Sequence, residues 1–532
     1  MISRECRSAV AAGVALLAAY SATLAPGLTL WDSGEFLAAI HSLGIPHPPG
    51  TPLYVIVANV WAQLFGPLLG FAKSVNLFSA VCAAAGCALL AHLFSRWTRD
   101  PYAGFGAAVC AGATSTLWLS ATETEVYAPA FFVSMLLLWV ANEASVRRDA
   151  RYPVLFGYVA GLSWALHLTV LIAFPAALVL GAHAFLTTLS SGRRKVLLRA
   201  VFAGLFGASV VAFMYFRARF DPQINQGNPG TLSALADVIS RKQYGDVSIF
   251  QRQAPLFLQF GNVFEWADWQ FALGLDQKQP PGWLRTSVTV VFALLGFAGF
   301  FAHRKLDRRS WRAMSALFVA GFIGVVFYLN LKAGPSYGAG FLEDGALHEA
   351  RERDYFFILA WISWGAWAGV GAMEFGRRIV KGAAAIPVGL LVASSPILLN
   401  WQATNRNSAP DANEAARFAS EILALAPDRA VLLAQADNDT YPVWYSRVVM
   451  RARPDVVPIT IPLLSAAWYR EEVARRYKLL DADAGIQWKG TDGILRAICE
   501  RARIQGRPVV GPFDRDTRLM PLTCLKFERE DL

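Results

Sequence analysis

Charged residues are scarce in this chain of 532 residues. Only 17% of the residues are charged, whereas 55% are hydrophobic. This balance excludes a soluble protein of ordinary domain size and indicates a polytopic membrane protein. The net charge of +10 does not indicate a nucleic-acid partner, because the Lys and Arg residues form short clusters between apolar segments, as they do in cytoplasmic loops.

Several motifs of common catalytic sites are also missing. The sequence has no Cys/His spacing typical of a metal site, no phosphate-binding glycine loop and no nucleophile elbow. ATP-driven chemistry and zinc chemistry are therefore disfavoured. No internal repeat and no low-complexity segment is visible either.

Cysteine is equally rare, with six in the whole chain. Cys6, Cys82, Cys87 and Cys110 lie in or beside apolar segments, where a small buried hydrophobic side chain is the ordinary interpretation. Cys499 and Cys524 share a polar region, and we expect them to form a disulfide if that region is extracytoplasmic.

Apolar segments dominate the first 402 residues. One crossing of a bilayer takes about 17 to 25 residues, and we expect about eleven transmembrane helices. The N-terminal segment is expected to remain as an uncleaved first span. The predicted spans are 8–26, 75–95, 101–119, 126–145, 153–167, 170–189, 199–216, 284–302, 313–331, 355–375 and 380–400.

Basic clusters predict the orientation of these spans. They occur at 4–7, 96–99, 147–151, 193–195, 304–309 and 377–381, in every second connection. Placing all of them in the cytoplasm satisfies the positive-inside rule, provided that the segment 51–65 is a short helix at the outer surface. The unusual polar motifs then all face outward, which in a bacterium means the periplasmic side of the inner membrane.

The composition changes near residue 403, so we divide the chain into a transmembrane domain, 1–402, and an extracytoplasmic domain, 403–532. Within the tail, RAVLLAQ, ADNDT, YPVWYSRVVMRA and DVVPIT predict a strand, a turn, a helix and a second strand. This order is typical of a small α/β domain.

The motif WDSGEF begins the first outer loop and places Asp32 three residues before Glu35. If a helix begins here, the two carboxylates share a face. The same spacing also fits a helix capping box, which is a purely structural role. His41 and His47 follow in the same loop, and ionisable groups gathered at a bilayer surface favour a functional role.

Two further outer segments carry candidate residues. Glu125 enters an apolar segment beside Tyr127, where an unpaired carboxylate is disfavoured. His167 lies in an otherwise apolar stretch, where a hydrogen-bonded structural histidine is the plainer interpretation. Both are kept as site candidates because of their predicted side of the membrane.

Two pairs of arginines stand at outer ends of spans: Arg217 with Arg219, and Arg351 with Arg353. Each pair has a plain interpretation, in which the side chains extend to lipid headgroups. The alternative is that they bind a phosphate or pyrophosphate through planar, bidentate contacts. An anionic lipid headgroup is the natural ligand for that arrangement.

Asp437 and Asp439 are predicted in a turn after a strand of the tail. Carboxylates there can bind a divalent cation, but Asp and Asn also cap turns and helix starts. A metal is therefore an optional cofactor.

Taken together, seven motifs resemble a bacterial membrane family that is related to the eukaryotic protein O-mannosyltransferase of receptor IPT domains. The resemblance extends over nearly the whole chain. The motifs are WDSGEF with HPPGTPLY, KSVNLFSA, ETEVYAP, GLSWALH, RKQYGD, RERDYFF and ADNDTYPVWY.

The resemblance implies a multispanning glycosyltransferase of the GT-C type with an inverting mechanism. It implies a polyprenyl-phosphate sugar donor, with mannose as the expected sugar, and a protein or glycan acceptor, and it requires no cofactor. An essential acidic residue of the first outer loop is implied at Asp32, with Glu35 as its neighbour.

Further roles are assigned on this basis. Leaving-phosphate stabilisation is expected from the two arginine pairs, His47 and His167, and substrate contacts from Glu125, Tyr127, Asp354 and Tyr355. The relatives in animals have helical-repeat tails, whereas this tail is predicted to be α/β, so the identity of the acceptor does not carry over.

Two other classes of function stay open at this point. A lipid transporter or flippase also has many spans and buried ionisable groups, but its polar groups are expected at mid-membrane in two related halves. A membrane-anchored sensor or scaffold would not need arginines and carboxylates at the outer ends of many different spans.

Overall fold

The computed structural model describes residues 3–147, 149–190, 194–245, 250–277, 281–338, 342–343, 346–408, 411–481 and 487–511. Its contacts divide the chain into two compact units. The first unit comprises Met1–Ala25, Asn76–Val211 and Asp246–Ser408, and the second comprises Pro26–Val75, Ala212–Gly245 and Ala409–Leu532.

The regular secondary structure of the first unit's described residues is helical, apart from one isolated bridge between Ala333 and His348. One helix, Phe71–Thr98, begins in the second unit and continues in the first. The other helices of the first unit are Arg4–Ala22, Pro101–Gly112, Ser115–Ala121, Tyr127–Arg147, Arg151–Leu166, Phe174–Ser190, Arg194–Ala208, Leu256–Asp268, Trp283–Leu306, Arg308–Val319, Val325–Leu329, Ile358–Ile379 and Ala385–Thr404.

Nine helical segments of the described residues are long and apolar enough to cross a membrane. Arg4–Ala22, which carries Arg4, Glu5 and Arg7 at its start, is not among them. The nine are Pro52–Leu69, Phe71–Thr98, Tyr127–Arg147, Leu168–Thr187, Arg194–Ala218, Trp283–Leu306, Arg308–Leu329, Asp354–Ile379 and Gly382–Thr404. The fold is thus that of a multispanning helical protein, while the count of eleven spans stays a prediction.

Pro52–Leu69 has the length and composition of a span, whereas the sequence predicted a short surface helix over 51–65. Its helix is 18 residues long and contains Pro67. The prediction that this helix does not cross the membrane therefore rests on the basic clusters alone.

The predicted span 101–119 is wrong as a single helix. The chain forms two helices, Pro101–Gly112 and Ser115–Ala121, with a break between them. Backbone groups at the break find partners elsewhere: Asn400 Nδ2 donates to the Ala113 oxygen at 2.8 Å, and the Ser115 N–H donates to the Gln270 oxygen at 2.9 Å. Because these groups are satisfied within protein, the interruption is tolerated.

The helix Ile358–Ile379 packs closely against two neighbours in the first unit. A Cβ at Gly369 would lie 2.2 Å from the Gly106 oxygen of Pro101–Gly112. A Cβ at Gly371 would lie 1.9 Å from the Leu295 oxygen of Trp283–Leu306. Small residues thus let these backbones approach, as is usual between membrane helices.

The second unit combines two loop segments with the α/β tail. Its loop helices, besides Pro52–Leu69, are Ser33–Ser42, Ala212–Ala218 and Leu232–Ile239. The tail contains helices Glu414–Leu425, Asp437–Val448, Ala467–Glu472 and Gly490–Ile504, together with a π-helical turn, Val473–Tyr477. Its strands are β1 (Val431–Ala434), β2 (Val457–Thr460) and β3 (Val509–Val510).

The three described strands form a parallel sheet in the order β2-β1-β3. Buried side chains cover both of its faces, with Val431 and Leu433 on one side and Leu432 and Val510 on the other. Such two-sided burial explains the short, continuously apolar strands. The predicted order of strand, helix and strand is confirmed.

One detail of the tail prediction is wrong. Asp437 and Asp439 lie in the first turn of helix Asp437–Val448, and not in a turn that precedes it. Carboxylates at this position complement the positive end of the helix dipole, which explains why the helix begins earlier than expected. The domain boundary at 402/403 stays a prediction, although the segments 26–75 and 212–245 pack with the tail.

Candidate active site

The helix Ser33–Ser42 begins inside the WDSGEF motif. Asp32 is its N-cap residue, and the Asp32 side chain forms no capping hydrogen bond. Trp31 precedes it with a φ of 61°, and the Trp31 N–H donates to Asn438 Oδ1 at 2.6 Å. The capping-box interpretation of this motif is therefore not borne out by the geometry of Asp32.

Glu35 is fully buried, and its carboxylate makes three hydrogen-bond contacts. Its Oε1 accepts hydrogen bonds from the His47 backbone N–H at 2.8 Å and from Gln226 Nε2, and its Oε2 lies 2.5 Å from His47 Nδ1. The geometry thus makes Glu35 a residue that orients His47 and Gln226.

Gln226 reaches Glu35 because two distant loops pair at Ile45. The Ile45 N–H donates to the Ile224 oxygen at 2.8 Å, and the Gln226 N–H donates to the Ile45 oxygen at 2.9 Å. A Cβ at Gly44 would lie 2.5 Å from the Ile224 oxygen. The glycine therefore permits the close approach that brings Gln226 to Glu35.

Arg217 and Arg219 are both engaged with nearby groups. Arg217 donates to the Leu43 and Ser42 oxygens at 2.8 and 2.9 Å, at the C-terminal end of helix Ser33–Ser42. Arg219 is exposed and donates to the Tyr215 hydroxyl. Arg217 thus satisfies helix-end carbonyl groups, which is a structural role for the predicted phosphate ligand.

In the first unit, Arg351 and Arg353 converge on one atom. Arg351 Nε and Arg353 Nη1 each donate to the Tyr355 hydroxyl at 2.7 Å. The Arg351 guanidinium also lies over the Tyr355 ring, 4.6 Å from its centroid. Two cations gathered at one oxygen form an arrangement that suits an anion.

Tyr127 and His167 complete this aromatic and basic cluster. The Tyr127 ring lies 4.7 Å from the Tyr355 ring and 5.3 Å from the His167 ring, measured between centroids. His167 Nδ1 accepts from the Thr169 backbone N–H at 3.3 Å, so in the neutral ring Nε2 carries the proton. We call Tyr127, His167, Arg351, Arg353 and Tyr355 the arginine–tyrosine cluster.

Two predicted substrate residues have structural partners. Asp354 Oδ2 accepts from Thr116 Oγ1 at 2.5 Å, and Thr116 in turn accepts from Gln270 Nε2 at 2.9 Å. Glu125 is buried beside Tyr127, with its Oε2 3.3 Å from the Val126 N–H. These contacts place both carboxylates against protein groups of the first unit.

Sequence analysis did not identify a second pair of carboxylates, Glu265 and Glu352. Ser336 Oγ donates to Glu352 and lies 3.2 Å from Glu265 Oε1, and Trp266 Nε1 donates to Glu352 Oε2 at 2.7 Å. Burial, aided by the charge of Glu352, raises the pKa of Glu265 to about 7. The RERDYFF motif contains Glu352, but only the fold shows its neighbour.

The described part of the chain holds no cluster of three or more His, Cys, Asp or Glu residues that suits a metal ion. The predicted cation at Asp437 and Asp439 accordingly has no structural support and stays a sequence-based expectation. Cys499 is disulfide-bonded, whereas Cys524 lies outside the described residues, so their pairing stays a prediction.

The predicted site residues thus fall into two sets. Glu125, Tyr127, His167, Arg351, Arg353, Asp354 and Tyr355 belong to the first unit, and Asp32, Glu35, His47, Arg217, Arg219, Asp437 and Asp439 belong to the second. Sequence analysis missed Gln226, which lies in the loop after Arg217 and has no signal of its own beyond being polar.

Comparison with known families gives two matches. Residues 32–190 match the protein O-mannosyl-transferase TMEM260 N-terminal domain, and residues 415–489 match the TMEM260-associated domain 2. The mouse protein O-mannosyl-transferase TMEM260 is 24% identical over 92% of this chain and 67% of its own length. The Dictyostelium discoideum relative of the same name is 22% identical over 59% of this chain and 39% of its own length.

Solved structures show the same architecture. ArnT from Cupriavidus metallidurans bound to undecaprenyl phosphate has a TM-score of 0.52, with 12% identity over 86% of this chain and 90% of that chain. The apo state of ArnT has a TM-score of 0.51, with 13% identity over 84% and 89%. At this identity the likeness concerns the fold.

The chain is a multispanning helical membrane protein with the GT-C type of fold, of which ArnT is an example. Within that class it is related to the protein O-mannosyl-transferase TMEM260 family. The relation supports glycosyltransferase activity at a membrane.

Proposed function

We propose that this protein transfers a sugar from a polyprenyl-phosphate donor to a protein or glycan acceptor. Mannose is the proposed sugar, since both relatives are named as O-mannosyl-transferases. The donor class is supported by the ArnT structure, which contains undecaprenyl phosphate. We place the reaction at the periplasmic face of a bacterial inner membrane, on the argument of the six basic clusters.

The observation that carries this proposal is the convergence of Arg351 and Arg353 on the Tyr355 hydroxyl. A phosphate leaving group gains negative charge as its bond to the sugar breaks. Guanidinium groups held in place by a tyrosine stabilise that charge without having to reorganise. His167 of the same cluster adds an Nε2–H donor.

The reaction is a single displacement. The acceptor hydroxyl oxygen forms a bond to the anomeric carbon, the bond from that carbon to the phosphate oxygen breaks, and polyprenyl phosphate leaves with the electron pair. The configuration at the anomeric carbon is thereby inverted. The hydroxyl proton passes to a general base, for which Asp32 is the candidate.

Glu35 has a different role from Asp32 in this proposal. Its two oxygens are occupied by His47 and Gln226, so it is a positioning residue that holds the loop carrying Asp32 and His47. With a good leaving group already on the donor, the reaction needs no resident metal, and a divalent cation is an optional addition.

The test uses purified full-length protein in nanodiscs, radiolabelled polyprenyl-phosphate mannose and fractionated envelope acceptors. Arg351→Ala and Arg353→Ala are expected to lower donor use by roughly 10-fold to more than 100-fold, because a charge-assisted contact contributes about 1.5–3 kcal/mol. Arg308→Ala is the matched control, since Arg308 is an exposed residue of a predicted cytoplasmic cluster.

Label transfer by the wild-type protein with loss in both cluster variants supports the proposal. If no envelope fraction becomes labelled, the proposed activity is wrong. If both folded cluster variants keep wild-type donor kinetics, the arginines are headgroup contacts and do not bind the leaving phosphate.

A further inference from the structure

The second unit contains a cavity of about 240 Å³. A volume of about 10–15 Å³ is enough to hold one water molecule, so this cavity has room for an organic group. Its walls come from the loop Gln223–Gln226, the helix Asp437–Val448, strand β2 and the segment from Trp468 to Tyr477. All nine lining residues of the tail fall in the region that matches the TMEM260-associated domain 2.

The loop that forms one wall is held firmly. Arg476 Nη1 donates to the Gln223 oxygen at 3.1 Å, and its Nη2 donates to the Pro222 oxygen at 2.6 Å. Arg476 also pairs with Glu472 at 3.1 Å. The cavity is therefore formed before any ligand arrives, which lowers the entropic cost of binding.

Several polar atoms at this cavity lack a partner among the described residues. Asn225 is 3% exposed, and its Oδ1 has no hydrogen-bond partner there. Trp468 Nε1 and Arg447 Nε are also buried and have no hydrogen-bond partner among the described residues. Buried polar groups are normally satisfied, so these atoms mark places where a ligand supplies the missing donors and acceptors.

The chemistry of the walls suits a carbohydrate. Trp444 and Trp468 provide flat apolar surfaces, while Asn225 and Gln226 provide amide groups that both donate and accept. A sugar ring combines apolar C–H faces with hydroxyl groups that also donate and accept. An anionic ligand fits less well, because the Arg476 guanidinium is already engaged by Glu472 and backbone carbonyls.

A peptide is disfavoured for a separate reason. Strand β2 is an edge of the described sheet, and Pro458 of that strand lines the cavity. Proline has no N–H, so this edge cannot add a peptide strand through regular main-chain hydrogen bonds.

We propose that this cavity binds a neutral sugar unit of a glycan acceptor, with Asn225, Gln226, Trp444 and Trp468 as its ligands. Gln226 connects the cavity to the first outer loop, because its side chain donates to Glu35. The assignment of this sugar to the acceptor rests on the proposed glycosyltransferase function. The binding of a sugar in the cavity does not depend on that function.

Binding is tested without catalysis, by saturation-transfer NMR on the purified full chain in nanodiscs. The probes are methyl α-mannoside, methyl α-glucoside and methyl α-galactoside, with a Ser/Thr-rich peptide as the competing class. Trp468→Phe keeps an aromatic ring but removes the N–H, and Asn225→Ala removes the unpartnered oxygen. Each is expected to weaken glycoside binding by roughly 3- to 10-fold.

The control is Trp488→Phe, because Trp488 is 47% exposed and does not line the cavity. The proposal is overturned if no glycoside binds, if the cavity variants bind as the control does, or if only the peptide binds. Label transfer from the donor is measured on the same samples. Label transfer without glycoside binding would refute only the proposed sugar site. Cavity-dependent glycoside binding without label transfer would refute only the proposed function.

Discussion

At the scale of single residues, Asp32 and Glu35 are neighbours with different surroundings. Asp32 is partly exposed at the start of a helix, whereas Glu35 is buried and has hydrogen-bond contacts on both of its oxygens. A proton acceptor must be reachable by its substrate, and a positioning residue must not move. The two carboxylates of one motif thus suit different tasks.

Asp32→Asn is expected to reduce turnover by at least about 10²-fold, because the amide cannot accept the proton of the acceptor hydroxyl. The thermal midpoint should stay close to wild type, because Asn has nearly the same shape as Asp and is about as favourable at an N-cap position. Initial rates of label transfer and a melting curve in detergent provide the measurement. A fully active Asp32→Asn protein would assign the base to another residue, with Glu125 as the next candidate.

Glu265 provides a pH dependence of stability. Its pKa is raised to about 7 in the folded protein, against an ordinary value near 4.3. The stability associated with its neutral form is present below the unfolded pKa and is lost as pH rises through about 7. The effect is on the order of 1 kcal/mol, because solvent screens this half-buried group.

The wild-type protein should therefore lose stability between about pH 4.5 and pH 7. The Glu265→Gln variant should lose less stability over the same range. Thermal midpoints of both proteins across this range, in the same detergent, make the comparison. Parallel curves for the two proteins would contradict the raised pKa.

At the scale of elements, the helix Ser33–Ser42 lies against the helix Asp437–Val448 within the second unit. Gly34 permits this contact, because a Cβ there would lie 2.4 Å from the Tyr441 oxygen. The glycine of WDSGEF therefore has a packing role, beside the carboxylates that first drew interest to the motif.

Gly34→Ala is expected to destabilise the second unit by about 1–3 kcal/mol, since the inserted methyl group forces the backbone of one helix to shift. Gly66→Ala is the matched control in another helix, where the nearest atoms lie 3.8 Å from the new Cβ and alanine favours the helix. Limited proteolysis and melting curves compare the two. Equal stability of both variants would show that the two helices separate easily at Gly34.

At the scale of the whole molecule, the orientation in the membrane decides which motifs can reach a lipid-linked donor. The basic clusters predict residue 308 on the cytoplasmic side and residue 437 on the outer side. In a protein without its native cysteines, a cysteine at 437 should react with an impermeant thiol reagent added outside intact cells. A cysteine at 308 should react only after the membrane is opened; the reverse pattern would refute the orientation.

The sequence by itself determined the class of this protein. Long apolar segments, basic clusters in alternate connections and the alternation of strand and helix in the tail depend on residues that are close in the chain. Such patterns reflect local hydrogen bonding and the cost of exposing polar groups to lipid, so they can be detected without a structure.

Only the tertiary structure decided which polar side chains meet. Glu35 contacts Gln226 across 191 residues because Ile45 pairs with a distant loop. Arg217, predicted as a phosphate ligand, donates to the end of helix Ser33–Ser42, a contact that the sequence did not indicate. Contacts of this kind depend on the path of the backbone between segments, and the pairing of two loops leaves no periodic signal in either one.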